Sequence, residues 1–172
     1  MSEPSRWTVY ESPLGQLTLG ATTEGALNRI LFPDEERHAA GRDRSALASA
    51  MRQLDEYFDG TRERFDLTVD LAGTPLQLAV WARLRRIPYG ETVSYGELTS
   101  DLDESVFPAD LEPYQRVRAV GTEIGRTPVP IVIPCHRVIG ADGSLTGYGG
   151  GLHCKRALLD LEQGVAQLLP LA

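Results

Sequence analysis

Apolar and polar residues alternate in three short segments near the N-terminus, a spacing typical of β-strands. The predicted strands span residues 7–11, 16–21 and 28–32. Turn-forming residues separate them, first at 13–15 and then at Glu24-Gly25. The pattern therefore predicts a small antiparallel sheet.

Apolar residues then recur at helical spacing over residues 42–58, and Gly60 ends this predicted helix. Alternation returns at residues 65–71 and predicts one more short strand. Ala72-Gly73 is the candidate boundary between two domains. We expect an N-terminal domain of residues 1–72 and a C-terminal domain of residues 73–172.

The second half of the chain begins with local helix signals. Thr74 is a candidate N-cap and Pro75 suits the first helical position, which predicts a helix to about residue 86. Ser94 and Glu97 have the spacing of a capping box and predict a second, short helix. A third helix, over residues 113–125, carries arginines. This order is typical of a helix-turn-helix unit.

The apolar run at residues 128–134 has a proline at each end, which predicts a buried extended segment outside a central sheet. A glycine-rich loop follows at 140–151, and a last helix is predicted over 153–163. The expected fold class is therefore α+β, with a small antiparallel sheet and helix followed by a mainly helical part.

Charge is distributed unevenly along the chain, whose net charge is −7. Between residues 113 and 156 there are six basic residues against two acidic ones, so this part predicts a basic face suited to a phosphate backbone. The longest apolar run is too short to span a membrane, and residues 1–7 lack the apolar stretch of a secretory signal. We therefore expect a cytoplasmic protein with no membrane partner.

The chain has two cysteines, Cys135 and Cys154. In a reducing compartment a free thiol can serve as a nucleophile, and a disulfide between the two is the less favoured interpretation. Cys135 lies in Pro134-Cys135-His136-Arg137, where His136 is a candidate base for forming the thiolate. Adjacent residues on an extended segment point to opposite sides, so contact would need a turn or a bridging water. On these four residues alone, a nucleophile and a buried core cysteine are equally good interpretations.

Five blocks of sequence resemble one known family, the O6-alkylguanine-DNA alkyltransferases, also called methylated-DNA-protein-cysteine methyltransferases. The resemblance covers roughly the C-terminal hundred residues, and the blocks occur in the family's order. They are Gly73-Thr74-Pro75-Leu76-Gln77, Ile87-Pro88-Tyr89-Gly90-Glu91-Thr92-Val93-Ser94-Tyr95, Arg118-Ala119-Val120-Gly121, Ile133-Pro134-Cys135-His136-Arg137-Val138-Ile139-Gly140 and Leu145-Thr146-Gly147-Tyr148-Gly149-Gly150-Gly151-Leu152.

The resemblance implies a fold, an activity and partners. It implies a ribonuclease H-like N-terminal domain and a winged helix-turn-helix-like DNA-binding unit. The implied activity is a single-use transfer of an alkyl group from O6-alkylguanine, with O4-alkylthymine as a second candidate substrate, after the nucleotide is flipped out of the duplex. The expected partner is double-stranded DNA approached from the minor groove, bound by a monomer that needs no cofactor and no metal.

The resemblance also implies residue roles. Cys135 would accept the alkyl group, His136 would activate it through a water, Glu162 would orient His136, and Tyr95 would donate toward the purine N3. Arg118 would fill the space left by the flipped nucleotide. The remaining implied DNA contacts are Ala119, Gly121 and Arg126, and the implied substrate pocket consists of Ile124, Pro130, Val138, Tyr148, Gly149 and Gly150.

The sequence departs from the family pattern in three places. Thr127-Pro128 stands where the family commonly has Asn-Pro. The stretch between Tyr95 and Arg118 is several residues longer than usual, and its part 99–112 is acidic. We expect this acidic part to loop away from the duplex because it would repel phosphates. The cysteine and histidine pattern of the zinc site found in some members is missing from the N-terminal region.

Three other functions compete with alkyl transfer as interpretations of the sequence. A metal-binding protein is disfavoured because the pairs Cys135-His136 and His153-Cys154 are adjacent, whereas paired zinc ligands are usually two to four residues apart. A sensor that binds alkylated DNA without reacting is the better rival, although the presence of Cys135 favours transfer. A cysteine hydrolase rests on the Cys-His pair alone.

Overall fold

The computed structural model describes residues 4–33 and 43–165. Three strands, β1 (Arg6–Ser12), β2 (Gly15–Ala21) and β3 (Leu27–Leu31), form an antiparallel sheet in the order β1-β2-β3. The five helices of the described residues follow: α1 (Ala48–Phe58), α2 (Pro75–Leu84), α3 (Tyr95–Ser100), α4 (Pro113–Gly125) and α5 (Gly151–Glu162). Two short strands, β4 (Val93–Ser94) and β5 (Val138–Ile139), pair in parallel. The predicted α+β class is confirmed.

The N-terminal sheet is buried on the face that meets α1. Leu17 and Leu19 of β2 are buried with Leu54 of α1, which explains why the strands alternate and the helix has one apolar face. All three predicted strands are confirmed. The predicted helix begins later than expected, at Ala48, and Arg42 lies outside the described residues.

The predicted strand over residues 65–71 is wrong. The segment makes a single bridge, between Val69 and Leu27, in which Leu27 N–H donates to Thr68 O at 2.9 Å and Asp70 N–H donates to Leu27 O at 3.0 Å. The odd-numbered apolar residues still pack against the core. The alternation therefore reflects one buried face of an extended segment. It does not reflect a strand with a continuous ladder of hydrogen bonds.

The predicted N-cap at Thr74 and the predicted capping box at Ser94 are both present and begin the helices where the sequence indicates, and Thr74 also forms a capping box with Gln77. The Thr74 hydroxyl accepts from Gln77 N–H, and the Ser94 hydroxyl accepts from Glu97 N–H at 3.1 Å. The helix after Thr74 ends at Leu84, two residues before the expected end. Helix α2 packs on α4, where Trp81 Nε1 donates to Glu123 O at 3.2 Å. Helices α3 and α4 pack against each other as the helix-turn-helix interpretation requires.

The apolar run at 128–134 is buried, as expected, but it is not extended. Ile133 N–H turns back to donate to Val129 O at 2.9 Å, and Ile131 has a φ of 74°, a left-handed conformation that is strained for a β-branched residue. The next three residues, Cys135–Arg137, form one 3₁₀ turn. The backbone therefore turns sharply before Cys135, whereas the two prolines had predicted an extended approach.

The acidic segment 99–112 folds back onto the helical part of the chain. Asp101 pairs with Arg83 of α2 at 2.6 Å, and Glu104 pairs with Arg116 of α4 at 3.0 Å. A 3₁₀ turn at Glu104–Val106 begins with the second of these carboxylates and packs against α2. Two of the segment's carboxylates are thus partly neutralised. No helix in residues 4–33 and 43–165 has the length and apolar character needed to cross a membrane.

Candidate active site

Cys135 is a free thiol on the inner wall of a small cavity. Its side chain is nearly buried, with 6% of the residue exposed. The cavity lies between α4, the 3₁₀ turn, the glycine-rich loop and the N-terminal sheet. Its lining residues are Ile30, Phe32, Ile124, Gly125, Thr127, Pro130, Cys135, Gly147, Tyr148 and Gly149.

Four of the six predicted pocket residues line this cavity, namely Ile124, Pro130, Tyr148 and Gly149. Val138 is fully buried in β5 behind the turn. Gly150 does not line the cavity but lies directly against the ring of Phe32, since a Cβ at this position would be 2.5 Å from that ring. Gly150 therefore lets the loop approach the N-terminal sheet closely.

The N-terminal sheet contributes a wall that the sequence did not reveal. The Phe32 ring packs edge-on against Tyr148, with 5.4 Å between ring centroids. In addition, Ile30 N–H of β3 donates to Pro128 O at 2.9 Å, which ties the sheet to the segment before Cys135. Aromatic or apolar residues at the end of a strand carry no sequence signal for a pocket, since they are equally expected in a core.

His136 is fully buried and lies against a carboxylate. Its Nε2 lies 2.8 Å from Oε1 of Glu162, at the end of α5. A neutral imidazole in this position donates through Nε2, so Nδ1 is left as an acceptor. Within the described part of the chain, Nδ1 has no hydrogen-bond partner. The imidazole can therefore accept one proton at Nδ1.

Glu162 accepts hydrogen bonds from four residues. Arg137 donates through Nε to Oε2 and through Nη2 to Oε1, each at 2.8 Å, and His136 faces the same Oε1. Tyr57 of α1 donates to Oε1 at 2.6 Å, and Gly90 N–H donates to Oε2 at 3.2 Å. Tyr57, Gly90 and Arg137 were not among the predicted site residues. Their contacts join positions far apart in the chain, which no local pattern reveals.

Burial and these contacts set the protonation states. Burial raises the pKa of the Cys135 thiol to about 11, although a Thr127 hydrogen bond and the Lys155 charge act in the opposite direction. Burial lowers the pKa of His136 despite the nearby Glu162. Burial would raise the pKa of Glu162, but hydrogen bonds from His136 and Arg137 outweigh it and hold that pKa well below its usual value. The resting state is therefore a protonated thiol, a neutral imidazole and a carboxylate.

Tyr95 is brought beside the Cys135 turn by the parallel pair of short strands. Strand β4 ends immediately before Tyr95, and β5 begins immediately after Arg137. The Tyr95 hydroxyl accepts from Thr146 Oγ1 at 3.2 Å and lies 3.4 Å from Thr146 O. The structure thus brings the predicted proton donor to the same side of the molecule as the glycine-rich loop.

Two family models together match most of the chain. Residues 5–71 match the "6-O-methylguanine DNA methyltransferase, ribonuclease-like domain", and residues 75–164 match the "6-O-methylguanine DNA methyltransferase, DNA binding domain". The chain belongs to the 6-O-methylguanine DNA methyltransferase family. The resemblance of the five sequence blocks is thereby confirmed.

Similar proteins span nearly the whole chain. A methylated-DNA–protein-cysteine methyltransferase of Mycobacterium tuberculosis is 44% identical over 165 residues, which cover 93% of each protein. One from Methanosarcina acetivorans is 38% identical over 161 residues, covering 91% of this chain and 97% of the relative. The crystal structure of Mycobacterium tuberculosis OGT in complex with DNA matches with a TM-score of 0.80 and 42% identity over 94% of both chains.

The candidate DNA-facing residues of this methyltransferase fold lie on α4 or, for Arg126, directly after its last residue. Arg118 is exposed, and within the described residues its side chain has no ion-pair partner. Arg126 is also exposed but pairs with Glu123 at 2.9 Å. Ala119 is half-buried, and a Cβ at Gly121 would lie 3.7 Å from the Tyr95 ring. Arg118 is thus available to a ligand, whereas Arg126 would first have to leave Glu123.

The second cysteine lies apart from this arrangement. Cys154, on α5, is a free thiol whose Sγ lies 3.3 Å from His153 Nε2. Burial raises the pKa of Cys154, and the cysteine does not line the Cys135 cavity. Within residues 4–33 and 43–165, no three or more His, Cys, Asp or Glu side chains are grouped so that they could hold a metal ion.

Proposed function

We propose that the chain repairs O6-alkylguanine in DNA by transferring the alkyl group to Cys135. One observation carries this proposal: a buried thiol in a cavity is followed by a neutral imidazole whose Nε2 is held by a carboxylate. The names of the relatives supply the reaction class, a methyl transfer from DNA to a protein cysteine. O4-alkylthymine is a second candidate substrate.

The proposed reaction begins with loss of the thiol proton from Cys135. Because burial keeps the thiol protonated, a base is needed, and His136 accepts the proton at Nδ1 directly or through a solvent molecule. The negative charge of Glu162 stabilises the imidazolium that forms, because the carboxylate is hydrogen-bonded to the other ring nitrogen of His136, Nε2. The negative sulfur then attacks the alkyl carbon.

In the transfer step the sulfur–carbon bond forms and the carbon–O6 bond breaks. The bonding electrons remain on guanine, which takes a proton at N3 from the Tyr95 hydroxyl. The product is a thioether on Cys135, so each molecule of protein reacts once. At the end of the step His136 has gained one proton and Tyr95 has lost one. Transfer of a proton from His136 to Tyr95 restores both residues.

The reaction requires the nucleotide to leave the duplex, because the thiol lies in a cavity lined by the protein. We infer that α4 enters the minor groove and that Arg118, exposed and without an ion-pair partner in the described residues, occupies the space that the nucleotide leaves. We further infer a monomer that acts in the cytoplasm, where both free thiols would stay reduced.

Intact-protein mass spectrometry tests the proposal after the protein is mixed with a duplex containing O6-methylguanine. The expected result is one added methyl group on the protein, absent in Cys135→Ser and still present in Cys154→Ser. An unmodified protein that nevertheless binds the duplex would refute alkyl transfer and support a DNA-lesion sensor.

A further inference from the structure

A second cavity, of about 350 Å³, lies between residues 63–67 and the end of α2. It shares no lining residue with the cavity of Cys135. Pro130 and Cys135 line the Cys135 cavity, whereas residues 131, 132 and 134 line the second one, so this segment of the chain separates the two. The lining of this second cavity, the arginine cavity, consists of Glu63, Arg64, Phe65, Leu67, Arg85, Arg86, Ile87, Pro88, Tyr89, Ile131, Val132, Pro134 and Arg137.

The arginine cavity has an excess of positive charge that the protein does not neutralise. Arg64, Arg85 and Arg86 are exposed, and among the described residues no carboxylate forms an ion pair with any of them. Glu63 is the single acidic side chain of the lining. The whole chain carries a net charge of −7, so this excess is local. Like charges around one cavity repel each other, and an anion bound among them relieves that repulsion.

Arg137 forms a rigid inner wall of the same cavity. Its side chain is buried, and its charge is balanced by Glu162, to which Nε and Nη2 donate. Nη1 donates to Ile87 O at 2.6 Å. Because three nitrogens are held in this way, the guanidinium is in place before any ligand binds, which lowers the entropic cost of binding.

Two aromatic rings give the arginine cavity a flat, apolar part. Phe65 and Tyr89 are half-buried, and both pack on the buried Tyr57, with 5.3 and 6.1 Å between ring centroids. The guanidinium carbon of Arg137 lies 5.7 Å from the centroid of the Tyr89 ring. Rings that are fixed from behind and open to a cavity can stack on a planar group of a ligand.

We propose that the arginine cavity binds a nucleotide. The phosphates pair with Arg64, Arg85 and Arg86, because a guanidinium presents N–H donors in a geometry that matches phosphate oxygens. The base stacks on Phe65 or Tyr89. The cavity falls within the range of about 300–1,000 Å³ that small-ligand sites occupy. The site is separate from the Cys135 cavity, so the inference does not rest on the proposed alkyl transfer.

Isothermal titration calorimetry with the whole protein tests the proposal, with ADP as the probe. Inorganic pyrophosphate and adenosine represent its two parts, and we expect both to bind more weakly than ADP. A variant that combines Arg85→Ala and Arg86→Ala is expected to bind ADP at least about tenfold more weakly, because two charged hydrogen-bond donors are lost. Phe65→Leu is expected to weaken ADP binding at least about fivefold and to leave pyrophosphate binding unchanged, because only the stacking is lost.

The control variant combines Arg44→Ala and Arg52→Ala. It removes the same amount of positive charge from exposed positions outside the cavity and is expected to bind ADP like the wild type. An equal loss in this control would overturn the inference, as would a wild-type protein that shows no saturable ADP binding at millimolar concentrations. A hexaglutamate peptide that binds as tightly as ADP would overturn the assignment to a nucleotide. Thermal unfolding of each variant checks that the fold is kept.

The same chemistry is offered by a free nucleotide and by the end of a nucleic-acid strand, and a single-stranded thymidine hexanucleotide separates the two sources. Binding tighter than that of ADP, and lost with Arg85 and Arg86, would assign the site to a strand. Binding no tighter than that of ADP would assign it to a free nucleotide. ADP binding that survives the loss of both arginines would overturn the inference. A protein that binds ADP but is not methylated by the O6-methylguanine duplex would refute the proposed function and leave the nucleotide site standing.

Discussion

The phenol of Tyr57 donates a 2.6 Å hydrogen bond to Oε1 of Glu162, the same oxygen that faces His136 Nε2. Tyr57 lies on α1, beside the N-terminal sheet, and Glu162 lies at the end of α5. Burial raises the pKa of Tyr57 well above its usual value, so the phenol stays protonated and acts as a donor. The N-terminal part of the chain therefore helps to hold the carboxylate on which the candidate base depends.

Replacing Tyr57 with phenylalanine tests this connection. Tyr57→Phe is expected to lose about 2 kcal/mol in the free energy of unfolding, because a hydrogen bond to a charged acceptor is removed. We also expect single-turnover methyl transfer to slow about fivefold, the factor that corresponds to about 1 kcal/mol in the barrier. Urea unfolding and quenched-flow transfer measure the two effects.

Tyr10→Phe is the matched control. Tyr10 also donates to a carboxylate, Asp55 Oδ1, at 2.8 Å, but that pair lies within the N-terminal part and does not contact the site. It is expected to lose stability without losing transfer rate. If both tyrosine variants slowed transfer equally, the effect of Tyr57 would be one of general stability.

The depressed pKa of Glu162 predicts how stability depends on pH. A carboxyl group whose pKa is lower in the folded chain stabilises the fold above its unfolded value, near 4.5, and this contribution is lost as pH falls below that value. Glu162→Gln removes the contribution and leaves Arg137 buried without its carboxylate, so we expect a loss of about 3–5 kcal/mol at neutral pH. The gap between wild type and variant should narrow on acidification.

Urea unfolding at neutral pH and at about pH 3.5 measures this gap. Glu104→Gln is the control, since the Glu104 side chain is 86% exposed in its ion pair with Arg116 and contributes little to stability. A gap of constant size at both pH values would contradict the ionised, hydrogen-bonded state of Glu162.

The sequence predicted the features whose causes are local. The N-cap at Thr74 and the capping box at Ser94 begin their helices because the groups they join are three residues apart. Cys135 and His136 were identified as candidate site residues from the short motif Pro134-Cys135-His136-Arg137 in which they lie. The predicted extended approach to Cys135 was wrong, since Ile131 is left-handed and Ile133 N–H turns back to Val129 O, while Pro128 O accepts from Ile30 of β3 in the distant N-terminal sheet.

The rest of the site depends on contacts between distant parts of the chain. Tyr57 and Glu162 are separated by 105 positions, and neither position carries a local signal for the other. Phe32 has the alternation of an ordinary core residue, yet it packs on Tyr148 at the cavity. Such partners can be predicted only from the folded structure, because they are close in space and buried together but have no characteristic spacing along the sequence.

Arg118→Ala tests the proposed role of α4 in opening the duplex. We expect the stability to be unchanged, because the exposed Arg118 side chain has no ion-pair partner in the part of the chain that the structure describes. Transfer from O6-methylguanine in a duplex should fall at least about tenfold, because unstacking a nucleotide costs a few kcal/mol. Transfer from the free nucleoside should not change.

Arg52→Ala removes an equally charged, exposed side chain from α1 and is expected to keep the wild-type rate on the duplex. Equal losses on the duplex and on the free nucleoside in Arg118→Ala would place the defect in the chemical step and argue against a role in nucleotide flipping.

Thr127 is the position at which the chain departs from the family's asparagine, and its hydroxyl has two possible acceptors. It donates to Ile124 O at 2.7 Å, at the end of α4, and it also lines the Cys135 cavity, where hydrogen bonding from it lowers the thiol pKa. One hydroxyl proton can serve only one acceptor at a time. A hydrogen bond from Thr127 to the Cys135 thiolate therefore competes with its hydrogen bond to Ile124 O at the end of α4.

Thr127→Val removes the hydroxyl at nearly constant shape. We expect the Cys135 pKa to rise, so that iodoacetamide alkylation in a Cys154→Ser background slows by about tenfold for each unit of pKa. Thr127→Asn supplies an amide with two donor hydrogens, which can serve Ile124 O and the sulfur together, and is expected to react at least as fast as the wild type. Thr122→Val is the control, because the Thr122 hydroxyl donates to Arg118 O at 3.1 Å on the exposed side of α4. An unchanged thiol profile in Thr127→Val would show that the hydroxyl serves only the helix end, and the departure from asparagine would then have no bearing on the thiol.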